Sequence, residues 1–129
     1  IRSELLDAEI WAFENLSVVQ RRDIVEKRRR VATPARKLWD EEQDARVVKN
    51  FEFSFHVRGE APVFEGPSLI IAGRQDCMSG YLDAVDLLPQ FPRASLATLD
   101  AAGHGLAFER PEVFHTLLRD WLNRLGGCF

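Results

Sequence analysis

Residues 67–76 read Pro-Ser-Leu-Ile-Ile-Ala-Gly-Arg-Gln-Asp, and the reading of this stretch decides the fold. Ser68 to Ala72 is a short, continuous, mainly apolar run, as in a strand buried on both faces of a parallel sheet. Gly73 then opens a turn, and the turn presents Asp76. A second segment of the same design follows. Ser95 to Leu99 predicts another short strand, and Asp100-Ala-Ala-Gly-His-Gly105 presents His104 from a glycine turn. Between the two, Tyr81, Ala84, Val85 and Leu88 form a helical stripe, with Pro89 and Pro92 bracketing its end. Pro111 starts a last helix with Phe114, Leu117, Leu118, Trp121, Leu122 and Leu125 on its buried side, and Gly126 and Gly127 suit its stop. Strand, helix, strand, helix predicts right-handed crossovers, a parallel sheet and the α/β class. Two strands alone leave open edges, so more strands have to come from elsewhere.

Upstream the character changes. Phe51, Phe53 and Phe55 alternate with Glu52 and Ser54 in a strand-like or extended pattern, and Gly59, Pro62, Gly66 and Pro67 mark a loop. Residues 51–66 therefore read as a connecting segment between a helical part, 1–50, and an α/β part, 67–129. In the helical part Leu6, Ile10 and Phe13 fall at helical spacing. A second helix is predicted from about Ser17, a possible N-cap, to Val31, and Thr33-Pro34 is expected to interrupt it and start a third. The region lacks a wide apolar stripe of its own, which suits a segment that packs on something else.

Composition excludes several classes. The chain has 129 residues, 46% of them hydrophobic, which fits a folded domain rather than a disordered one. A formal net charge of −3 does not advertise nucleic-acid binding. No apolar run approaches the ~18 residues of a membrane-spanning helix, and the start shows no basic-then-apolar signal peptide. The two cysteines, Cys77 and Cys128, are too few for a disulfide scaffold and lack metal-site spacing, so a cytoplasmic setting is expected. The first residue is Ile1, not Met, and together with the motif content below this favours a fragment.

Functional residues of open parallel sheets gather beyond the carboxyl ends of the strands. Asp76 and His104 both fall there, in the order acid then histidine. That is the order of the second and third members of a hydrolytic triad of the strand-nucleophile-helix kind. The carboxylate fixes the ring's tautomer and stabilises the imidazolium, and the ring takes the nucleophile's proton.

On these residues, Phe51 to Leu125 resembles the C-terminal part of an α/β-hydrolase fold enzyme. The matching pieces are Asn50 to Phe55, Pro67 to Asp76 with Gly80-Tyr81 behind it, Ala102-Gly103-His104, and Glu109-Arg110-Pro111-Glu112. The Gly-Arg-Gln-Asp wording with Gly-Tyr after it is similar to bacterial hydrolases related to esterases and peptidases. The resemblance implies Asp76 as the catalytic acid, His104 as the catalytic base, and residues 1–50 as the helical cap, or lid, inserted before the last two strands, with no metal or organic cofactor. It also implies a nucleophile elbow, Gly-x-Ser-x-Gly, which the chain does not contain. Of the serines Ser3, Ser17, Ser54, Ser68, Ser79 and Ser95, only Ser68 has glycine two places before it, and its +2 residue is Ile70. Cys77 has no elbow context, and the carboxylate beside it disfavours a thiolate.

Other chemistry-bearing residues have plainer readings. Asp100 is the rival acid and reads as structural. His56 reads as a packing or surface residue, and His115 lies inside the last helix. Phe51, Phe53 and Phe55 border a pocket or pack a core. Trp11 and Trp39 could line a lid pocket, with packing preferred, and Trp121 reads as core. Met78, Ser79 and Gly80 would shape the mouth of the site, Gly80 allowing a tight turn. Residues 21–30 carry six basic side chains, which read as a solvated lid-helix face offset by Asp40, Glu41, Glu42 and Asp44 and, as a rival, as a nucleic-acid or lipid contact. No aromatic residues interleave them.

The sequence thus points to the acid and base of a serine-type hydrolase acting on an ester, amide or related acyl bond of a small molecule. The chain alone should be inactive, with no nucleic-acid or membrane partner, and should self-associate or pair with the missing half. The alternative is a non-catalytic interaction module on a hydrolase-like scaffold.

Overall fold

The computed structural model describes residues 1–51 and 62–126. The expectations placed on Glu52 to Ala61, among them Phe53, Phe55, His56 and Gly59, and on Gly127 and Cys128, lie outside the described residues. The order is three helices, then an α/β unit: α1 (Asp7–Leu16), α2 (Arg22–Arg36), α3 (Glu41–Lys49), β1 (Ser68–Gly73), α4 (Tyr81–Asp86), β2 (Ala94–Leu99), α5 (Leu106–Glu109) and α6 (Pro111–Leu125). Short 3-10 turns add Arg2–Glu4 and Leu88–Gln90. No helix among the described residues is long and apolar enough to cross a membrane.

The two strands pair in parallel, from Ser68 beside Ala94 to Gly73 beside Leu99. Parallel pairing needs a crossover, and α4 with its 3-10 extension supplies it. The class is therefore mixed helix and parallel sheet, compatible with α/β. The strand is not buried on both faces as expected: Ser68 to Ala72 are only half-buried, because the sheet has two strands among the described residues.

Helix α6 begins at Pro111, where a missing N–H costs nothing, and ends at Gly126. It is fastened to the strand starts by polar bonds. Trp121 Nε1 donates to Pro67 O at 2.9 Å, and the Arg124 guanidinium donates to Ser68 O at 3.2 Å and Arg93 O at 3.3 Å. Its apolar stripe is less covered than expected. Trp121 is half-buried rather than core, and Leu122 and Leu125 are exposed, since the described residues offer only one edge of a narrow sheet to pack on.

The helical part departs further from expectation. Ser17 closes α1 and does not open α2, which begins five residues later at Arg22. Pro34 does not start a new helix either. It sits in the last turn of α2, two residues before its end, where the lost N–H bond falls as the helix finishes. Helix α3 starts at Glu41, with the Asp40 carboxylate accepting the Gln43 N–H at 3.0 Å.

Phe13 on α1 and Ile24 on α2 are buried, and both line the cavity between these helices. Ion pairs add to the α1–α2 interface. Arg29 makes a fork on Glu9, at 2.8 and 2.7 Å, and Arg22 reaches Glu4 at 2.7 Å. The basic run is partly solvated, with Arg21, Arg22 and Arg30 exposed and Lys27, Arg28 and Arg29 half-buried. Its counter-charges come from α1, the preceding turn and Asp23, and not from the acidic start of α3. Trp11 and Trp39 are exposed and pack no core among the described residues.

Candidate active site

Both strands end in loops that meet. Arg74 N–H donates to Leu99 O at 2.8 Å and Gln75 N–H to Ala102 O at 3.1 Å, continuing the ladder past the strand ends. The Gln75 side chain doubles this tie, donating to Asp100 Oδ1 at 2.7 Å and accepting from the Ala102 amide at 3.3 Å. The approach is possible because residue 73 is glycine. A Cβ there would stand 2.5 Å from Ala102 O and 2.6 Å from Gly103 O. Ala101 takes a left-handed φ of 51° to make the turn.

These ties bring Asp76 and His104, 28 residues apart in the chain, to a distance of 3.2 Å between Oδ2 and Nδ1. Asp76 is nearly buried, at 9% side-chain exposure, while His104 is open at 46%. The other oxygen, Oδ1, accepts the Met78 and Ser79 amides at 2.8 and 3.2 Å. Partial burial pushes the Asp76 carboxyl up. The Met78 amide, the His104 ring and the Ser79 amide outweigh it and hold the carboxyl below its ordinary value. An ionised carboxylate only accepts, so Nδ1 carries the proton of the shared bond. Nε2 is then left as the ring's basic atom.

Asp76 and His104 share a cleft of about 450 Å³ with Ile71, Ser79, Gly80 and Leu106. His104 also borders a more apolar cleft of about 370 Å³ walled by Leu69, Ile71, Phe108, Phe114 and Trp121. A separate cavity of about 230 Å³ lies between α1 and α2 and touches neither residue.

The other candidates are not drawn into the site. Asp100 points away, bonded to Gln75, and its backbone oxygen takes the Arg110 guanidinium at 2.5 Å, so it does not face His104. Cys77 donates its thiol to Asn15 O at 2.9 Å. His115 is exposed on α6 against Phe114. Gly80 has no left-handed backbone and serves as the N-cap of α4. Among the described residues no serine, threonine or cysteine is hydrogen-bonded to His104 Nε2, and no group of three or more His, Cys, Asp or Glu could hold a metal ion.

One residue beneath the site entered the sequence reading only as part of the Glu109-Arg110-Pro111-Glu112 piece, with no role assigned. Glu109 is 5% exposed, the one buried charged side chain among the described residues. Its Oε2 accepts the Gly103 amide at 2.7 Å, and its Oε1 accepts the Val18 and Val19 amides at 2.6 and 2.8 Å. The available signal was its position, an acid at the end of Leu106–Glu109 immediately before an Arg-Pro helix start, where a solvent-facing role was equally consistent with the sequence.

No family model matches the chain. It is similar to the "Putative carbamate hydrolase RutD" of Stutzerimonas stutzeri (strain A1501), at 31% identity over 78 residues. The match takes in 59% of this chain and 29% of that relative's length.

Proposed function

We propose that this chain is the C-terminal part of a serine-type α/β-hydrolase that cleaves an ester, amide or related acyl bond, with residues 1–50 as its cap. In this reading Asp76 is the acid and His104 the base of the triad, and the rest of the parent protein supplies the nucleophile. The single observation that carries it is the Asp76–His104 bond at the paired strand ends, with Nε2 unengaged beside a cleft. The similarity to a protein named as a carbamate hydrolase supports the same class, since a carbamate presents an acyl carbon bonded to nitrogen.

The chemistry follows from the geometry. A hydroxyl or thiol placed against Nε2 loses its proton to the ring as it attacks the carbonyl. Asp76, held ionised by two backbone amides, keeps Nδ1 protonated and stabilises the imidazolium. The ring then returns the proton to the leaving group, and water repeats the cycle. The chain lacks a Gly-x-Ser-x-Gly elbow, so by itself it does no acyl chemistry.

A fluorophosphonate probe tests the assignment on the full-length parent protein. The expected adduct is one covalent label on a residue outside these 129 positions, with no label on the isolated chain. Labelling of a serine within the chain, or no labelling of the parent, contradicts the proposal.

A further inference from the structure

We infer that Glu109 is a positioning residue for His104 and couples the seating of the α1–α2 connection to the geometry of the histidine loop; this rests on the hydrolase reading above. The Arg28 guanidinium is near Glu109 without being an ion-pair partner among the described residues: a Cβ at Gly105 would stand 2.9 Å from Arg28 Nη2 and 3.9 Å from Glu109 Oε2. A buried carboxylate is costly unless its lone pairs are filled. Glu109 fills them with backbone amides from two distant places. Gly103 immediately precedes His104, and Val18 and Val19 lie between α1 and α2, some ninety positions away in the chain. Charge-assisted bonds of this kind are short and directional. A displacement of the 18–19 segment therefore pulls on the carboxylate that holds residue 103.

Three further contacts flank the same loop. A Cβ at Gly103 would meet Leu16 O at 2.9 Å and Val18 Cγ2 at 3.0 Å, and a Cβ at Gly105 would meet Arg28 Nη2 at 2.9 Å. Arg28 also donates to Ser17 Oγ at 3.1 Å and Ala12 O at 3.3 Å, and lies 5.8 Å from the Phe108 ring centre. Residues on both sides of His104 thus rest directly on the end of α1 and on α2. Asp76 fixes the ring from one side, and Glu109 fixes the backbone that carries it.

The choice of glutamate is chemically specific. Its two oxygens accept all three amides. Glutamine has the same shape but one accepting oxygen, so its amide group would confront either Gly103 N–H or the Val18–Val19 pair. In the full-length protein, Glu109→Gln is expected to lower kcat per folded molecule about 10- to 100-fold on a p-nitrophenyl ester, as a misplaced general base does. KM should move less, because Glu109 does not touch substrate. A merely structural role lowers the melting temperature and leaves kcat per folded molecule unchanged.

His104→Ala is run beside it. An inactive His104→Ala with Glu109→Gln within twofold of wild type overturns the inference and leaves the hydrolase reading standing. An active His104→Ala removes the hydrolase reading and the inference with it. Amide hydrogen exchange on the unsubstituted protein keeps the test independent of whether the variant folds. Val18, Val19 and Gly103 are expected to show protection that rises and falls together, and unrelated protection at the two sites overturns the coupling.

Discussion

At the residue scale, the arrangement depends on which atoms can approach. Gly73 admits the carbonyls of Ala102 and Gly103 to within 2.5–2.6 Å of where a Cβ would stand. Because both obstacles are backbone, Gly73→Ala should push the 102–104 loop away and lengthen the Asp76–His104 bond. In the parent protein kcat is expected to fall by about 10²-fold or more, read by steady-state kinetics. Asp76 gives a pH prediction with a definite sign. Its folded pKa is lowered, so its contribution to stability is complete above the unfolded value and disappears as pH falls through the folded one. The melting-temperature difference between wild type and Asp76→Asn should therefore be largest near neutrality and shrink in acid. A difference that does not shrink at any pH below the ordinary carboxylate value, down to full protonation of the carboxyls, would remove the claimed bond. The sequence revealed Asp76 and His104 because turn glycines announce a loop at a strand end. It named Glu109 only within a motif and gave it no role, because its partners are backbone amides, two of them about 90 positions away, that leave no residue-type signature.

At the element scale, polar fasteners matter as much as apolar stripes. Trp121→Phe keeps most of the ring area but removes the bond to Pro67 O, and should destabilise the chain by about 1 kcal/mol in chemical denaturation. The α1–α2 pair is fastened by Glu9 and Arg29. The Arg29 side-chain bond, opposed by burial and assisted by the Leu6 amide and the Arg29 charge, lowers the Glu9 carboxyl to about 2. Its contribution is present above the ordinary carboxylate value and lost as pH falls toward 2. Arg29→Ala should lower the melting temperature at neutral pH and make little difference at pH 2, followed by far-UV circular dichroism. The sequence located α2 but not its ends: Ser17 belongs to the end of α1, and Pro34 falls where a terminating helix tolerates it. The strands and α6 were legible because their apolar periods are local. Their incomplete burial was not, because burial depends on what lies across the sheet.

At the scale of the whole molecule, the parallel sheet has two strands among the described residues, and its half-buried faces with exposed Leu122 and Leu125 are a surface suited to more protein. The proposal that the chain is the acid-and-histidine part of a larger hydrolase assigns that surface to the parent's remaining strands. It predicts that the isolated chain self-associates, read as a mass above that of the monomer by light scattering, and that a compact, well-folded monomer is not obtained. The α/β class could be read from the sequence because two segments repeat one design, strand then glycine turn then polar residue. The most direct test of the central claim is kcat/KM of the full-length protein and its His104→Ala variant on a p-nitrophenyl ester. The account predicts a loss of about 10³-fold or more; activity within a few-fold of wild type would contradict it.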